Sequence, residues 1–551
     1  MKYISVFLVG ITVSFGSLYA QNQGNDSILN RTVVVENQYN PEIMDAFKMN
    51  VLPDIEEPAV TKQHIDYATA VRPFSAWEFI PMDAYSISQE QARNARGYIR
   101  AMYGNLNNVD AKGSYLWDIT QRDRLGIMAS VYGRNGDISS FNPEEDWKSR
   151  FYRTDVVLDY SHRFQKVSLA VGGSWGSQVF NFMPGYETVS STEPLSGKQH
   201  YTLTEGYLSV SSVKDALPVD FSIQTGFRGF NRKYLIPFNG GDDFERIIHT
   251  KGYVSGNFNE TQKIAIGFEM NNLMYDDRLT DNTLLQLNPY YTLKNDRVYF
   301  KVGAHVDWQI ANKSGFKVAP DVQFDYVFAD KYAVYIHALG GTRLNDFRSL
   351  NRLSPYWVKE NQAVTSYTPL NGQIGLKASP VAGLGMKLFG GYRIVKNEMF
   401  VLPMYDPDYS YSYAKLLQAK AQTAYTGAAI DYGYKDYFDI SLKGKYYNWT
   451  MDDGLDYLLL LKPQYVVDVS ARAGIVKNLS IAANYRYEAR NEVNNEKADA
   501  LNNLSLWLDY EALNSLNIFV RFNNLLNKDY LAQNGYPVQG LNFMAGCSLR
   551  F

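Results

Sequence analysis

The sequence has a single cysteine, Cys547, so no disulfide bond can form within the chain. Its six histidines are scattered, and none lies at a metal-ligand spacing from another, so we expect no structural zinc site. The sequence also lacks a phosphate-binding loop, a Gly-x-Ser-x-Gly elbow, a zinc-protease helix and a Cys-x-x-Cys motif. We therefore expect no enzymatic activity and no cofactor.

Long apolar runs are missing beyond the first twenty residues. Residues 1–20 contain Lys2, an apolar stretch and Ala20, which predicts a signal peptide cleaved before Gln21. The richest later run is Leu458–Leu461, whereas a membrane-spanning helix needs about 18 apolar residues. If the mature chain spans a membrane, it must do so as a closed barrel, because lipid satisfies no backbone hydrogen bonds.

A strong charge of one sign is also missing. The net charge of −3 gives no basic field, so nucleic acid is not an expected partner. Aromatic residues, by contrast, are abundant at 15%, with 43 tyrosines, and charged residues make up 20%. This composition favours a protein with one face in lipid and one in water, because tyrosine and tryptophan suit membrane interfaces.

From about Gly97 onward, apolar and polar residues alternate with period two, as in residues 298–307 and 479–488. We count about 22 such segments, and short and long links alternate between them, which is typical of an outer-membrane barrel. Short links are predicted at residues 164–166, 259–262, 294–297, 329–332, 435–437, 475–478 and 513–515. Long links are predicted near residues 134–153, 176–200, 228–249, 342–371, 393–423, 448–464, 489–503 and 525–541. The fold class is therefore all-β, an antiparallel transmembrane barrel over residues 96–551 in the outer membrane of a Gram-negative cell.

The last segment carries an insertion signal of its own. Its apolar face is formed by Phe543, Ala545, Cys547, Leu549 and Phe551. This pattern resembles the C-terminal strand that the barrel-assembly machinery reads by strand addition. We therefore expect that machinery and outer-membrane lipids as partners, with Cys547 facing lipid.

The segment Phe-Asn-Asn-Leu-Leu-Asn-Lys-Asp-Tyr at residues 522–530, followed by Gly-Tyr-Pro at 535–537 and the closing strand, resembles the end of TonB-dependent receptors. The resemblance implies a 22-stranded barrel whose lumen is filled by an N-terminal plug domain. Here only residues 21–95 precede the barrel, which is too short for a complete plug. Val33, Val34 and Val35 weakly resemble the extended motif that pairs with TonB.

Residues 21–95 therefore form a short N-terminal segment, either within the lumen or in the periplasm holding a partner. A tyrosine-rich loop with Tyr405, Tyr409, Tyr411 and Tyr413 is a candidate surface site for sugars or a surface lipoprotein, although tyrosine also fills such loops without a ligand. The acidic residues Asp242, Asp243 and Glu245 predict solvated loop charge.

Two main functions remain open from the sequence; a third, an open porin, is disfavoured because an unplugged 22-stranded lumen would leak. The first is a TonB-dependent-receptor-like barrel for uptake or passage of a substrate across the outer membrane, with a TonB-type periplasmic partner. The second is a non-transporting structural or assembly component that binds other envelope proteins. The position of residues 21–95, in the lumen or on a partner, distinguishes them.

Overall fold

The structure, a computed structural model, describes residues 95–551 except residues 140–145, 185–197, 214–215, 234–242, 277–278, 311–314, 330, 359–361, 407–410, 436, 453 and 477. The predicted signal peptide, Val33, Val34, Val35 and nearly all of the predicted N-terminal segment lie outside the described residues.

The described residues form a sheet of 22 long strands. The first eleven are β1 (Gly97–Gly104), β2 (Val109–Asp118), β3 (Asp123–Ile138), β4 (Trp147–Arg163), β5 (Val167–Asn181), β6 (Lys198–Ser212), β7 (Val219–Lys233), β8 (Asp243–Asn257), β9 (Gln262–Tyr275), β10 (Asn282–Lys294) and β11 (Val298–Ile310). The others are β12 (Gly315–Phe328), β13 (Tyr332–Arg343), β14 (Ser366–Ala378), β15 (Leu384–Asp406), β16 (Tyr411–Tyr434), β17 (Phe438–Met451), β18 (Pro463–Val476), β19 (Leu479–Arg490), β20 (Leu501–Leu513), β21 (Leu516–Asn523) and β22 (Asn542–Arg550).

The sheet closes on itself. Each strand pairs antiparallel with the next, and β1 pairs with β22 in a register that sets Tyr98 opposite Arg550 and Gly104 opposite Met544. Closure leaves the sheet without an edge, so the ladder satisfies the backbone groups that lipid cannot. The predicted all-β class and the count of 22 strands are confirmed.

The alternation seen in the sequence separates a lipid face from a luminal face. On β11, Val302 and Trp308 are 42% and 52% exposed, whereas the neighbouring Asp307 is 2% exposed and points inward. Exposed rings also mark both ends of the wall: Phe164, Phe258 and Tyr437 lie at the short turns, and Trp308 and Phe316 lie at the opposite end. Two such girdles are what a barrel in a bilayer requires at its interfaces.

The short turns fall at one end of the barrel, for example at residues 164–166, 295–297 and 435–437, close to their predicted positions. The predicted long link at 393–423 is wrong. There β15 continues to Asp406 and β16 begins at Tyr411, because the two strands keep pairing far beyond their neighbours. These two are the longest strands of the described sheet, with 23 and 24 residues.

One short helix, α1 (Phe347–Leu353), interrupts the link between β13 and β14. Asp346 caps its N-terminus by accepting a hydrogen bond from the Ser349 backbone N–H at 2.8 Å. Within the described part of the chain, no helix has the length and apolarity needed to cross a membrane.

Candidate functional site

Three segments from the long-link end of the barrel fold inward and meet in the lumen. They are residues 182–184 after β5, residues 344–358 after β13, and residues 531–537 between β21 and β22; together we call them the luminal bridge. Side chains that point inward from β3, β6, β7 and β8 contact the bridge on one side, and β16 contacts it on the other.

The bridge joins opposite walls of the barrel. Met183–Pro184, just after β5, pairs antiparallel with Tyr411 and Ser412 at the start of β16. Trp357–Val358 pairs parallel with Ala414 and Lys415 on the same strand. Because β5 and β16 are eleven strands apart whichever way the closed sheet is followed, the pair formed by Met183–Pro184 crosses the mouth at its full width.

An aromatic cluster fills the centre of the bridge. Tyr356 and Tyr536 stack with ring centroids 3.5 Å apart, and Phe180 and Trp147 contact Tyr356 edge-on at 5.2 and 5.9 Å. Trp147, Tyr356 and Tyr536 are at most 2% exposed, and Met183 is fully buried. This packing is that of a protein core, so it excludes water from the middle of the mouth.

Hydrogen bonds tie the three segments to one another and to the wall. Ser354 Oγ donates to the Asn534 carbonyl at 3.0 Å, and the Tyr536 hydroxyl donates to the Ser412 carbonyl. Tyr201 on β6 donates to the Pro355 carbonyl at 2.9 Å, and Arg232 on β7 donates to the Trp357 carbonyl at 3.0 Å. Several carbonyl groups of the bridge are thereby satisfied although they lie outside the barrel ladder.

A charged cluster holds α1 against β6, β7 and β8. Glu205 accepts hydrogen bonds from Arg228 and from Arg348, and Arg228 Nη1 also donates to Asp346 at 3.0 Å. Glu245 accepts the Phe347 backbone N–H through both carboxylate oxygens, each at 3.0 Å. Largely buried, multiply bonded pairs of this kind fix geometry, because removing one member leaves the others unpaired.

Glu245 corrects a sequence expectation. It is not solvated loop charge: it lies on β8, points into the lumen and is only 1% exposed. Asp243 is also buried, and Asp242 lies outside the described residues. The sequence pattern misses this because β8 begins earlier than its apolar residues suggest, and Glu245 is bonded by a backbone N–H that lies 102 residues further along the chain.

A second charged cluster holds residues 531–537 against β19. Glu488 and Arg490 are both fully buried and form an ion pair at 2.6 Å. Glu488 also accepts from Gln533 at 2.9 Å, and Arg490 donates to the Leu531 carbonyl at 3.1 Å. Arg486 forms a second ion pair with Glu488, in which Arg486 Nη2 lies 3.1 Å from Glu488 Oε2.

Burial also changes the ionisation of bridge residues outside the wall. It raises the pKa of the Tyr356 and Tyr536 hydroxyls, so both stay neutral and able to donate. Burial lowers the pKa of the Arg352 guanidinium to about 10, with a further contribution from Arg348. Near neutral pH the bridge therefore keeps its arginines charged and its tyrosines neutral.

The chemistry of the site is that of a closure. No group of three or more metal-binding side chains lies together within the described residues. The bridge contributes packed rings, backbone pairs and Arg–carboxylate contacts, which can hold a mouth shut and can be exchanged for contacts with another molecule.

The predicted insertion residues lie on one face of β22. Phe543, Ala545, Cys547 and Leu549 are exposed on the lipid side, and Phe551 follows the strand. Phe551 also takes part in closure: its N–H donates to the Gly97 carbonyl at 3.0 Å, and its carbonyl accepts from the Gly97 N–H at 2.6 Å. The recognition of this strand by the assembly machinery remains a prediction.

The predicted tyrosine loop is largely strand. Tyr405 lies on β15, and Tyr411 and Tyr413 lie on β16, while Tyr409 lies outside the described residues. Tyr411 is 6% exposed and packs on Phe182 with centroids 5.1 Å apart, so it is part of the bridge contact. Its role in ligand binding remains a prediction.

Sequence reasoning missed the bridge. Its core residues come from segments far apart in the chain, so no local period reveals them. One signal was available in the run Pro355-Tyr356-Trp357-Val358, which places four consecutive apolar residues in a link that the sequence assigns to the cell surface. Apolar side chains in such a link would be exposed to water unless other residues pack over them.

No protein-family model and no curated protein matches the sequence. Solved structures do match. The FrpB iron transporter from Neisseria meningitidis aligns with a TM-score of 0.64 and 10% identity over 83% of this chain and 81% of that chain. The ferric enterobactin receptor of Pseudomonas aeruginosa aligns with a TM-score of 0.64 and 12% identity over 83% of this chain and 81% of that chain. The copper transporter OprC aligns with a TM-score of 0.62 and 10% identity over 83% of this chain and 82% of that chain.

These alignments establish a shared fold. Because the sequence identities are low, they do not identify the substrate or the energy source of this protein. The likeness agrees with the resemblance carried by residues 522–537 and with the lipid-facing wall. The chain is thus an integral outer-membrane β-barrel with the 22-stranded, transporter-like barrel fold of TonB-dependent receptors.

Proposed function

We propose that this protein passes a polar substrate across the outer membrane through a barrel whose surface mouth is closed at rest by the luminal bridge. The observation that carries the proposal is the crossing itself: the segment after β5 pairs with β16, which lies eleven strands away on the opposite wall, and the segment after β13 pairs with the same strand. A 22-stranded barrel has a lumen too wide for its own wall side chains to fill, so a closing element is needed.

The bridge is built so that it can leave the lumen without breaking the wall. Its backbone pairs with the barrel at two short sites of two residues each, whereas the strands pair with one another along their whole lengths. The remaining contacts are side-chain contacts, among them the two charged clusters around Glu205 and Glu488. Opening of the mouth therefore breaks the contacts of the bridge and leaves the strand pairing of the wall intact, as in enzymes whose lid moves on a rigid scaffold.

A second candidate, a structural component that binds envelope proteins, is supported by the quality of the packing. The Tyr356–Tyr536 stack and its neighbours are packed as a core, which suits a permanently closed barrel. In that case the long β15–β16 hairpin would serve as a contact for a surface lipoprotein. For the passage function, a TonB-type periplasmic protein is the corresponding partner.

Outer-membrane permeability tests whether the bridge closes the lumen, which the passage function requires. Residues 345–358 are replaced by a short Gly/Ser linker, in the full chain and in a chain that also lacks residues 21–95, and cells are challenged with vancomycin, which intact outer membranes exclude. The control replaces Asn494 and Asn495, in a surface turn with positive φ, by glycine.

Sensitivity of cells carrying either linker variant, with resistance of the control, supports a passage closed by the bridge. Resistance of both linker variants, at normal levels of folded barrel, would overturn the passage function and leave the structural one.

A further inference from the structure

We propose that the outer surface of the barrel carries a binding site for the phosphorylated headgroup of an outer-leaflet lipid, formed by Arg150, Lys198 and Lys233 with His200 between them. We call these four residues the cationic patch. The patch lies on β4, β6 and β7 at the long-link end of the wall, on the side of these strands that faces away from the lumen. It is independent of the passage function, since a lipid can bind a transporting and a structural barrel alike.

The three charged side chains of the patch point outward and are accessible. Their inward-facing chain neighbours are at most 3% exposed, namely Ser149, Phe151, Gln199 and Arg232. Because successive residues of a strand point to opposite faces, Arg150, Lys198 and Lys233 face the outside. All three are exposed, so a ligand beside the barrel reaches them without entering the lumen.

The strand register brings the patch together. The Arg150 backbone N–H donates to the side chain of Asn181 on β5 at 2.7 Å, and Asn181 lies opposite Lys198 on β6. His200, the next outward position of β6, lies opposite Lys233 on β7. Neighbouring strands are about 4.8 Å apart, so β4 and β7 are separated by about 14 Å. Long cationic side chains on these strands can therefore converge on one headgroup.

The patch lies at the level of the lipid headgroups. From Arg163 at the short-turn end of β4 to Tyr152, the strand covers about 36 Å, or about 28 Å along the membrane normal at a tilt of about 40°. The apolar band of such a barrel is about 25 Å tall, so Tyr152 marks its outer border. Arg150 is the next outward position, and its guanidinium carbon lies 5.7 Å from the centroid of the Tyr152 ring. Val179 lies opposite both Tyr152 and His200, which places His200 close to the same border.

The same level on another part of the wall is apolar. On β11 and β12 the outward positions at the long-link end are Trp308, Ile310, Phe316 and Val318, with exposed fractions of 52%, 45%, 66% and 50%. Cations at this level are therefore not a general property of the rim. They mark one sector of it, formed by β4, β6 and β7.

The charges of the patch are not neutralised by the protein. Within the part of the chain that the structure describes, Arg150, Lys198 and Lys233 form no ion pair. The exposed carboxylates of Asp137 and Asp146 lie level with or beyond Lys148, and so farther from the bilayer than Arg150.

This combination of charge and position matches a phosphorylated lipid. Phosphate oxygens accept charge-assisted hydrogen bonds from guanidinium and ammonium groups. Below the patch the outward wall carries apolar side chains such as Trp175 and Phe227, 45% and 42% exposed, against which acyl chains can lie. Free phosphate makes only the first kind of contact, whereas a lipid makes both.

The test is a titration of the purified full-length protein in detergent with diphosphoryl lipid A, followed by native mass spectrometry at constant ionic strength. Wild type should bind it more tightly than the same lipid with its phosphates removed. Arg150→Gln/Lys198→Gln/Lys233→Gln should bind about a hundredfold more weakly, because each cation near an anionic headgroup contributes about fivefold. Arg150→Lys should retain binding, since the charge is kept.

The matched control is Arg122→Gln/Lys166→Gln/Lys294→Gln, which removes three exposed cations at the short-turn end of the barrel. It changes the net charge by the same amount and should bind lipid A like wild type. Heat-modifiable gel mobility verifies that every variant is folded.

Three results would overturn the site: equal affinity of wild type for the phosphate-free lipid, wild-type affinity in the triple patch variant, or an equal loss in the control. Displacement of bound lipid A by an equal concentration of inorganic phosphate would also overturn it, because the patch would then bind a free anion rather than a lipid.

Discussion

Replacing Tyr356 by alanine should open the mouth of the barrel while leaving its wall intact. The ring stacks on Tyr536 at 3.5 Å, contacts Trp147 and Phe180, and is 1% exposed. Removal of a buried aromatic side chain costs about 3–5 kcal/mol. If the whole cost falls on the bridge, the ratio of closed to open states drops by about 10²-fold to about 4 × 10³-fold, since 1.4 kcal/mol is tenfold.

Maleimide labelling measures that ratio. Ser130 on β3 faces the lumen below the bridge, so Ser130→Cys is introduced in a Cys547→Ser background, and an impermeant maleimide is added outside intact cells. The labelling rate should rise about 10²-fold or more with Tyr356→Ala and stay near the starting rate with Tyr356→Phe, which keeps the ring. Equal rates in all three proteins would refute the closing role of this packing.

Two further predictions concern the wall and the second charged cluster. Deleting Phe551 should impair insertion but not secretion, because it removes the paired hydrogen bonds to Gly97; full levels of heat-modifiable barrel in the deletion variant would contradict this. Glu488→Ala should leave the buried Arg490 without its ion pair, at a cost of about 3–5 kcal/mol, and so release residues 531–537. Faster surface proteolysis in that segment, with unchanged barrel mobility on gels, is the expected result, and wild-type protease resistance would count against the cluster.

The wall of the barrel could be predicted from the sequence because each strand is marked by the alternation of neighbouring residues. Alternation with period two assigned Val302 to lipid and Lys301 to the lumen, and the short turns fixed the parity of the links. The strand count followed from these patterns. The pairing of β15 with β16 beyond Val395 was missed, because tyrosines and prolines such as Pro403 are typical of loops.

The candidate site depends on contacts that no local rule describes. Tyr356 and Tyr536 are 180 residues apart in the chain, and Glu245 meets Phe347 across 102 residues. Such contacts follow from how links fold back into a closed barrel, which alternation does not encode.

The measurement that tests the central claim most directly is single-channel current in planar bilayers. Three proteins are compared: the full chain, the chain with residues 345–358 replaced by a Gly/Ser linker, and the linker chain that also lacks residues 21–95. We predict a silent full chain and stable open steps once residues 345–358 are replaced. Opening of the doubly altered chain alone would mean that residues 21–95 close the lumen as well. Silence of all three, with each correctly folded, would contradict the account, because the luminal bridge would then not be what closes this barrel.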